Sequence, residues 1–366
     1  MRILHLSYAA VSDYSDPEKW LARLYFFTVM LEKMAEYAEV LSVHCIKYEG
    51  VLERKGVHYH FLKKRKSQIR FPFRIHRYIG KLQPDIVIVH GLIFAWQVLW
   101  LRLQLGRSVK LVLVHHSERP LKWHRFFFQT LADKFISAYF FTSHALGQRW
   151  VDAGLIRDPS KIHEVMIGSS VFFPYDRLLS QKHTRVNGSF LYLWIGHLDV
   201  NKDPFTLISG FKLFVKDQPE AKLYMIFQGD QLREQVRLLV NSCKQIVMVG
   251  KVSHRDLLYW YNSVDFIIST SHYEGGGIAV CEAMSCGCVP ILTNIPSFLM
   301  MTGPGEVGLV FAAGNITGLH TALVESRNLD LDVARKKVLL RFQRALSNEV
   351  IVKKMIRVFL SLNDGR

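Results

Sequence analysis

Two carboxylates and a run of glycines carry the most specific chemistry in this chain. Glu274 and Glu282 are separated by seven residues in the stretch Ser271-His-Tyr-Glu-Gly-Gly-Gly-Ile-Ala-Val-Cys-Glu-Ala-Met-Ser-Cys-Gly-Cys-Val-Pro290. A short apolar run at 266–269 precedes it, so an acid and three glycines (Gly275, Gly276, Gly277) follow a strand end, and a helix opens near Ile278. Glycines let the backbone approach a ligand without Cβ interference, and the N–H groups that open a helix suit phosphate or sugar oxygens. Glu274 lies just before that helix and Glu282 about one turn inside it, so both can point toward one cleft. Each feature also has a plainer use: an acid caps a helix, three glycines make a turn, and a mid-helix glutamate faces water.

Charge narrows the partners. Lys and Arg total 47 against 31 Asp and Glu, a formal net charge of +16. Such an excess favours nucleic acid, an anionic membrane surface or phosphorylated substrates. Between positions 54 and 81 there are ten cations and no acid, with Phe71, Phe73, Ile75 and Tyr78 interleaved. Clustered cations with apolar neighbours suit an anionic membrane surface or a lipid-linked phosphate acceptor ahead of nucleic acid; a solvated basic face is the alternative. The five cysteines are odd in number and contain no Cys-x2-Cys pair, which argues for reduced thiols and against zinc or a disulfide framework. The first residues reach Asp13 before any long apolar core builds up, unlike a signal peptide. The apolar stretch 92–105 is too short to span a bilayer and carries Arg102. These features predict a cytoplasmic protein, soluble or peripheral at the inner face of a membrane.

Short apolar runs must position these residues. They fall at 3–6, 40–43, 57–61, 86–89, 111–114 and 139–141, with helical patterns such as 20–37 and 94–105 between them. A second series follows at 190–195, 222–227, 246–249, 266–269, 289–292 and 308–311, alternating with helical patterns at 203–216, 232–242, 253–262 and 278–284. Strands alternating with helices are the mark of parallel βα units. The polar, basic stretch 175–188 predicts a linker between an N-terminal domain (1–174) and a C-terminal domain (189–345). Val352, Met355, Ile356, Phe359 and Leu360 have the spacing of an amphipathic closing helix within 346–366 that packs back on the N-terminal domain. The fold class is α/β: two Rossmann-like parallel-sheet domains facing across a cleft, with ligands expected beyond the carboxyl ends of the strands.

Taken together, Glu-Gly, the second glutamate after seven residues, and Glu-Ala-Met-x-x-Gly-x-x-Pro resemble the signature of retaining glycosyltransferases of family 4, which have the GT-B fold. The resemblance implies that Glu274 faces the donor sugar. It implies that Gly275, Gly276, Gly277 and Ile278 supply backbone donors, and that Glu282 accepts hydrogen bonds from the ribose of the donor nucleotide. Upstream, Phe190-Leu-Tyr-Leu-Trp-Ile-Gly196-His197-Leu-Asp-Val-Asn-Lys202-Asp resembles the family's strand ending in Gly-Arg-Leu followed by Lys. There Arg and Lys hold the diphosphate, two cations offsetting the charge of the leaving group as a metal does elsewhere. Lys202 is in place and His197 stands at the arginine position, which makes one of the two charges depend on protonation. Val247-Met-Val-Gly-Lys-Val252 resembles the loop whose backbone meets the nucleotide base, and Gln228-Gly229-Asp230 keeps part of a Gly-x-Gly turn.

In the first half, Asp85-Ile-Val-Ile-Val-His90 and Leu111-Val-Leu-Val-His115-His116 look like family strands ending in histidine. The resemblance implies that a histidine after the second of them reaches the donor sugar near the reacting centre, His116 being the first choice and His115 the second. The family's glycine-rich loop after the first strand is absent, since no glycine precedes Gly50. Tyr8, Ser12 and Asp13 put side chains where bare backbone is usual. The resemblance implies transfer of a hexosyl unit from a nucleotide-diphosphate sugar, UDP first among them. The acceptor is a glycan or a lipid-linked molecule, in synthesis of cell-surface polysaccharide or glycolipid. The donor is a co-substrate, and neither a further cofactor nor a metal is expected. The alternatives are a sugar-nucleotide 2-epimerase-like GT-B enzyme and a non-catalytic carbohydrate- or nucleic-acid-binding protein of this fold.

Overall fold

The computed structural model describes residues 1–8, 14–63, 71–120 and 123–364. Its chain divides into two units, one of Met1–Ser169 with Asn348–Arg366 and one of Ser170–Ser347. The stretch 170–174, expected in the first domain, belongs to the second.

The first unit is built on β1 (Arg2–Leu6), β2 (Glu39–Ile46), β3 (Gly50–Arg54), β4 (Val57–Lys63), β5 (Ile86–His90), β6 (Lys110–Val114), β7 (Ala138–Phe141) and β8 (Ile162–Glu164). They form one sheet in the order β3-β4-β2-β1-β5-β6-β7-β8. Every pair is parallel except β3–β4. Ile86 to Val89 and Leu111 to Val114 are all essentially inaccessible. Helices cover both faces of such strands, which is why they read as continuous apolar runs. The antiparallel β3 escaped the sequence reading because it is a short, half-exposed edge strand. It turns into β4 through Lys55 (φ 48°) and Gly56 (φ 77°), a two-residue hairpin loop with both residues left-handed. The helical pattern 20–37 resolves into two helices, Pro17–Arg23 and Tyr25–Met34, joined at Leu24. The closing helix Asn348–Asp364 buries Ile351, Val352, Met355 and Phe359 in this unit, Phe359 lying 5.8 Å from Phe140.

The second unit carries β9 (Leu191–His197), β10 (Lys222–Gln228), β11 (Ile246–Gly250), β12 (Phe266–Ser269), β13 (Val289–Thr293) and β14 (Leu309–Phe311). Their order is β11-β10-β9-β12-β13-β14, all parallel. The stretch expected as a linker holds a helix, Arg177–Thr184, within this unit. Asp176 caps it by accepting from Leu179 N, and polar bonds tie it down: Arg177 to Asp265 at 2.8 Å, Gln181 to Ser263 O at 3.1 Å and Thr184 to Ser263 at 2.8 Å. A helix anchored by polar side chains has no apolar stripe, so periodicity could not reveal it. In both sheets the order reverses beside the first strand of the unit, between β1 and β5 and between β9 and β12. Ligands of open α/β sheets sit at such reversals.

Candidate functional site

At the carboxyl end of β9 the chain turns through Gly196 and His197 into a loop that ends at Lys202. A Cβ on Gly196 would lie 2.9 Å from Trp194 Cζ2, so a larger residue there would push on the buried indole at the start of the loop. The loop is pinned from both sides. Lys202 N donates to Asp199 Oδ1 at 2.8 Å, and Thr270 Oγ1 donates to Lys202 O at 2.7 Å. Asn201 Nδ2 donates to Tyr273 O at 3.0 Å, and His272 N donates to Asn201 O at 2.9 Å. The loops after β9 and β12 are thereby zipped together, and Lys202 Nζ forms an ion pair with the Glu274 carboxylate. Ser271 Oγ donates to the same carboxylate oxygen at 2.8 Å. Two residues 72 positions apart, predicted separately, thus meet. Both are mostly buried, where a charge pair is screened less than at the surface.

Gly277 caps the helix Ile278–Ser285 with φ 55° and ψ 41°. A side chain there would be strained by the left-handed backbone, and its Cβ would stand 2.9 Å from Phe298 Cε1. Lys202, Glu274, Gly277 and Ile278 share the lining of a pocket of about 40 Å³. His197 is exposed, its Nδ1 3.5 Å from where a Cβ on Gly229 would stand, so that glycine keeps space beside the ring.

Glu282 is in a second cluster. It is only 3% exposed, accepts from Tyr261 OH at 2.8 Å and is 3.0 Å from His254 Nε2. His254 stacks on Phe172 with ring centroids 4.7 Å apart. The sequence reading missed both partners of Glu282, because nothing in linear spacing links positions 254 and 261 to 282. The expected ribose acceptor is thus a carboxylate already held by two side chains. Val252 turns its side chain against the core cluster of Leu191, Tyr224 and Trp260, which leaves its backbone as the part able to meet a ligand.

In the first unit the candidate histidines part company. His115 is fully buried, stacks on Phe141 at 4.9 Å and donates from Nε2 to Glu118 O at 2.8 Å. His116 Nε2 lies 3.1 Å from His90 Nδ1, and His90 Nε2 lies 3.1 Å from His5 Nδ1. Burial drives all three below the usual imidazole value, His5 to about 3 and His90 well below its ordinary value, while Glu118 partly opposes the fall at His116. Each is neutral near pH 7 and owns a single N–H, so the protons of the chain His5–His90–His116 all point one way along it. Glu118 fixes the adjoining turn by accepting from Leu92 N, His116 N and Ser117 N at 3.1, 2.8 and 3.2 Å.

Tyr8 does not offer its side chain as a loop group. It is 2% exposed, bonds His76 Nε2 at 2.7 Å and lies 5.2 Å from Phe94, because the strand carries it inward. Ser12 and Asp13 lie outside the described residues, as do Lys64, Arg65, Lys66 and Arg70. The basic stretch 54–81 is not one open face. Arg54 and Lys55 pair with Glu32 at 2.8 and 3.1 Å, Arg74 pairs with Glu49 at 2.6 Å, Ile75 is buried and Tyr78 bonds His60 at 2.9 Å. Lys63, Arg77 and Lys81 stay exposed, and an aromatic ridge is present that is exposed at Phe71, Phe73 and Phe127 and half-buried at Trp96, Trp100 and Phe128. Phe73 packs on Trp100 at 4.9 Å, Trp100 on Trp96 at 5.6 Å and Trp96 on Phe128 at 5.1 Å, with Phe71 and Phe127 exposed at its ends. All five cysteines are free and buried. Among the described residues no group of three or more His, Cys, Asp or Glu is arranged to hold a metal ion, and no helix is long and apolar enough to cross a membrane.

Comparison with known proteins agrees with both sheets. Residues 23–165 match the model described as Glycosyltransferase Family 4, and residues 176–326 match Glycosyl transferases group 1. A GDP-mannose:cellobiosyl-diphosphopolyprenol alpha-mannosyltransferase from Xanthomonas oryzae is 25% identical over 62% of this chain and 60% of its own length. The curated relatives are matched over 22% to 67% of their lengths. Sucrose-phosphate synthase from Thermosynechococcus elongatus superposes with a TM-score of 0.75 at 16% identity, covering 100% of this chain and 99% of that one. The Anabaena protein HepE, solved in complex with UDP and glucose, superposes with a TM-score of 0.72 at 13% identity, covering 99% and 100%. Two family models that together span most of the chain, and full-length superposition on glycosyltransferase structures, place it: the chain belongs to glycosyltransferase family 4 and has the GT-B fold.

Proposed function

We propose that the protein is a retaining glycosyltransferase. It moves a hexosyl unit from a nucleotide-diphosphate sugar, UDP first among the nucleotides, to a lipid-linked or glycan acceptor in cell-surface polysaccharide or glycolipid synthesis. The observation that carries this reading is the pinned Lys202–Glu274 pair beside a helix opened by glycine, at the strand-order reversal of the second sheet. A lysine held there meets the diphosphate of the donor, and the helix N–H groups add to the cradle without a metal. Glu274 orients the lysine and faces the sugar, Glu282 with His254 faces the ribose, and the backbone at Val252 faces the base. His197 gives the diphosphate a second contact.

Substitution at an anomeric carbon passes through an oxocarbenium-like state. The bond from C1 to the phosphate oxygen breaks, the bond from C1 to the acceptor oxygen forms, and the acceptor proton leaves with the departing diphosphate. No side chain is assigned as base. The HepE complex supports a uridine donor, and the diphosphopolyprenol named for the Xanthomonas relative supports a lipid-linked acceptor. The exposed aromatic ridge supports action at the inner membrane face. Incubation with UDP-glucose and an alkyl glucoside, followed by NMR of the product, tests the reading. Release of UDP with an α-linked product is expected. An epimerised nucleotide sugar, or an inverted β-linked product, contradicts it.

A further inference from the structure

We infer that the cavity at the strand-order reversal of the first sheet receives an uncharged, apolar part of the acceptor, an alkyl chain or an aromatic ring, and rejects phosphorylated sugars. The inference rests on the transfer reading above and narrows its acceptor. The cavity measures about 360 Å³, within the range of small-molecule sites. Its walls are largely Leu6, Trp20, Leu24, Phe27, Ile93 and Phe94.

The cavity's polar groups settle what it can hold. The chain carries a net charge of +16, yet no Lys or Arg is among the described residues that line this space. The one charged group in the lining is Glu118, which repels a phosphate and already accepts three backbone N–H groups. Four histidines line the cavity, and burial holds them neutral: His44 is lowered to about 4, and His5 lower still. They are also largely spent on each other and on their neighbours. His90 uses both nitrogens, and His44 uses one for Trp20 and the other for Ser42. His5 uses Nδ1 for His90, and its Nε2 is buried without a partner.

A dianion would therefore meet no cation among the described lining residues, and a bare sugar would leave most of its hydroxyls unmatched. Burying unmatched polar groups is unfavourable. His116 Nδ1 makes no hydrogen bond among the described residues, so it is left to meet a single hydroxyl beside an apolar body. Ile93, 42% exposed, lies at the rim and leads directly into the helix Ala95–Leu105 that carries Trp96 and Trp100 of the surface ridge.

Binding is the test, read apart from turnover. The neutral probe N-phenyl-1-naphthylamine is bound and then displaced by n-octyl glucoside, 4-nitrophenyl glucoside, glucose 6-phosphate or fructose 6-phosphate. Displacement at least tenfold more effective by the neutral glucosides is expected, and the octyl and nitrophenyl arms tell a chain from a ring. Leu24→Arg, and Ile93→Arg at the exposed rim, should each weaken that binding at least tenfold, with cooperative melting showing that the variant is folded. Equal displacement by the sugar phosphates, or probe binding unchanged in both variants, overturns the inference. Loss of the donor-induced melting shift in the unaltered protein would instead sink the transfer reading and leave the cavity result standing.

Discussion

At the residue scale the account depends on Lys202. Its ammonium is offset by Glu274 and steered by a backbone bonded on both sides. Replacing it with Met removes the charge and keeps the stem. We predict a fall of about 100-fold in kcat/KM for the donor, the scale of losing one charge-stabilising group, with partial retention in Lys202→Arg. Steady-state rates measured from released nucleotide decide this. Glu282→Ala should act in two ways, because it removes a buried carboxylate that bonds both Tyr261 and His254. Denaturant unfolding should show a loss of about 1–3 kcal/mol, together with a raised KM for the nucleotide sugar. The motif residues were legible because Glu274, the glycines and Lys202 sit in fixed local strings. His254, Tyr261 and the His5–His90–His116 chain were not, because their meeting depends on which strands lie side by side. Position 5 meets position 90 only because β1 pairs with β5.

At the element scale the cap of the helix Ile278–Ser285 is the sensitive point. Gly277→Val places a β-branched side chain at φ 55° and against Phe298. The left-handed backbone alone costs roughly 1–2 kcal/mol. The predicted result is a lower urea midpoint and loss of donor binding, whereas Leu360→Ala, exposed on the closing helix of the first unit, should move neither; calorimetric titration with the nucleotide sugar reads the second quantity. Strands buried on both faces announced themselves as apolar runs, so most of both sheets could be placed from sequence. The hairpin strand β3 and the helix Arg177–Thr184 could not. One pairs by its edge with a half-exposed pattern, and the other is held by Asp265 and Ser263 rather than by an apolar stripe. Within the ten-cation stretch, Arg54, Lys55 and Arg74 pair with Glu32 and Glu49 of the same unit, pairings that linear spacing does not reveal.

At the scale of the whole molecule, each of two mostly parallel sheets has a cavity at its strand-order reversal, and the histidines of the first unit link its stability to pH. His5 and His44 are buried and His90 half-buried, and all three stay neutral when folded, whereas an unfolded chain protonates each near pH 6.5. The unfolded state therefore binds more protons below about pH 6.5. Stability is fully present above that pH and falls on acidification, by about 1.4 kcal/mol per pH unit for each such histidine, until native His44 itself protonates near pH 4. Chemical unfolding at pH 7 and pH 5 should show a markedly lower midpoint at pH 5, and an unchanged midpoint would contradict the burial of these rings. The central claim is that the second unit grips an activated sugar through Lys202 and its glycine-opened helix. Isothermal titration of UDP-, GDP- and ADP-sugars into the protein and into Lys202→Met tests it most directly. The account predicts saturable binding of one of them, weakened at least tenfold in a variant that melts as the parent does; no heat with any of the three, or equal affinity in both proteins, would contradict it.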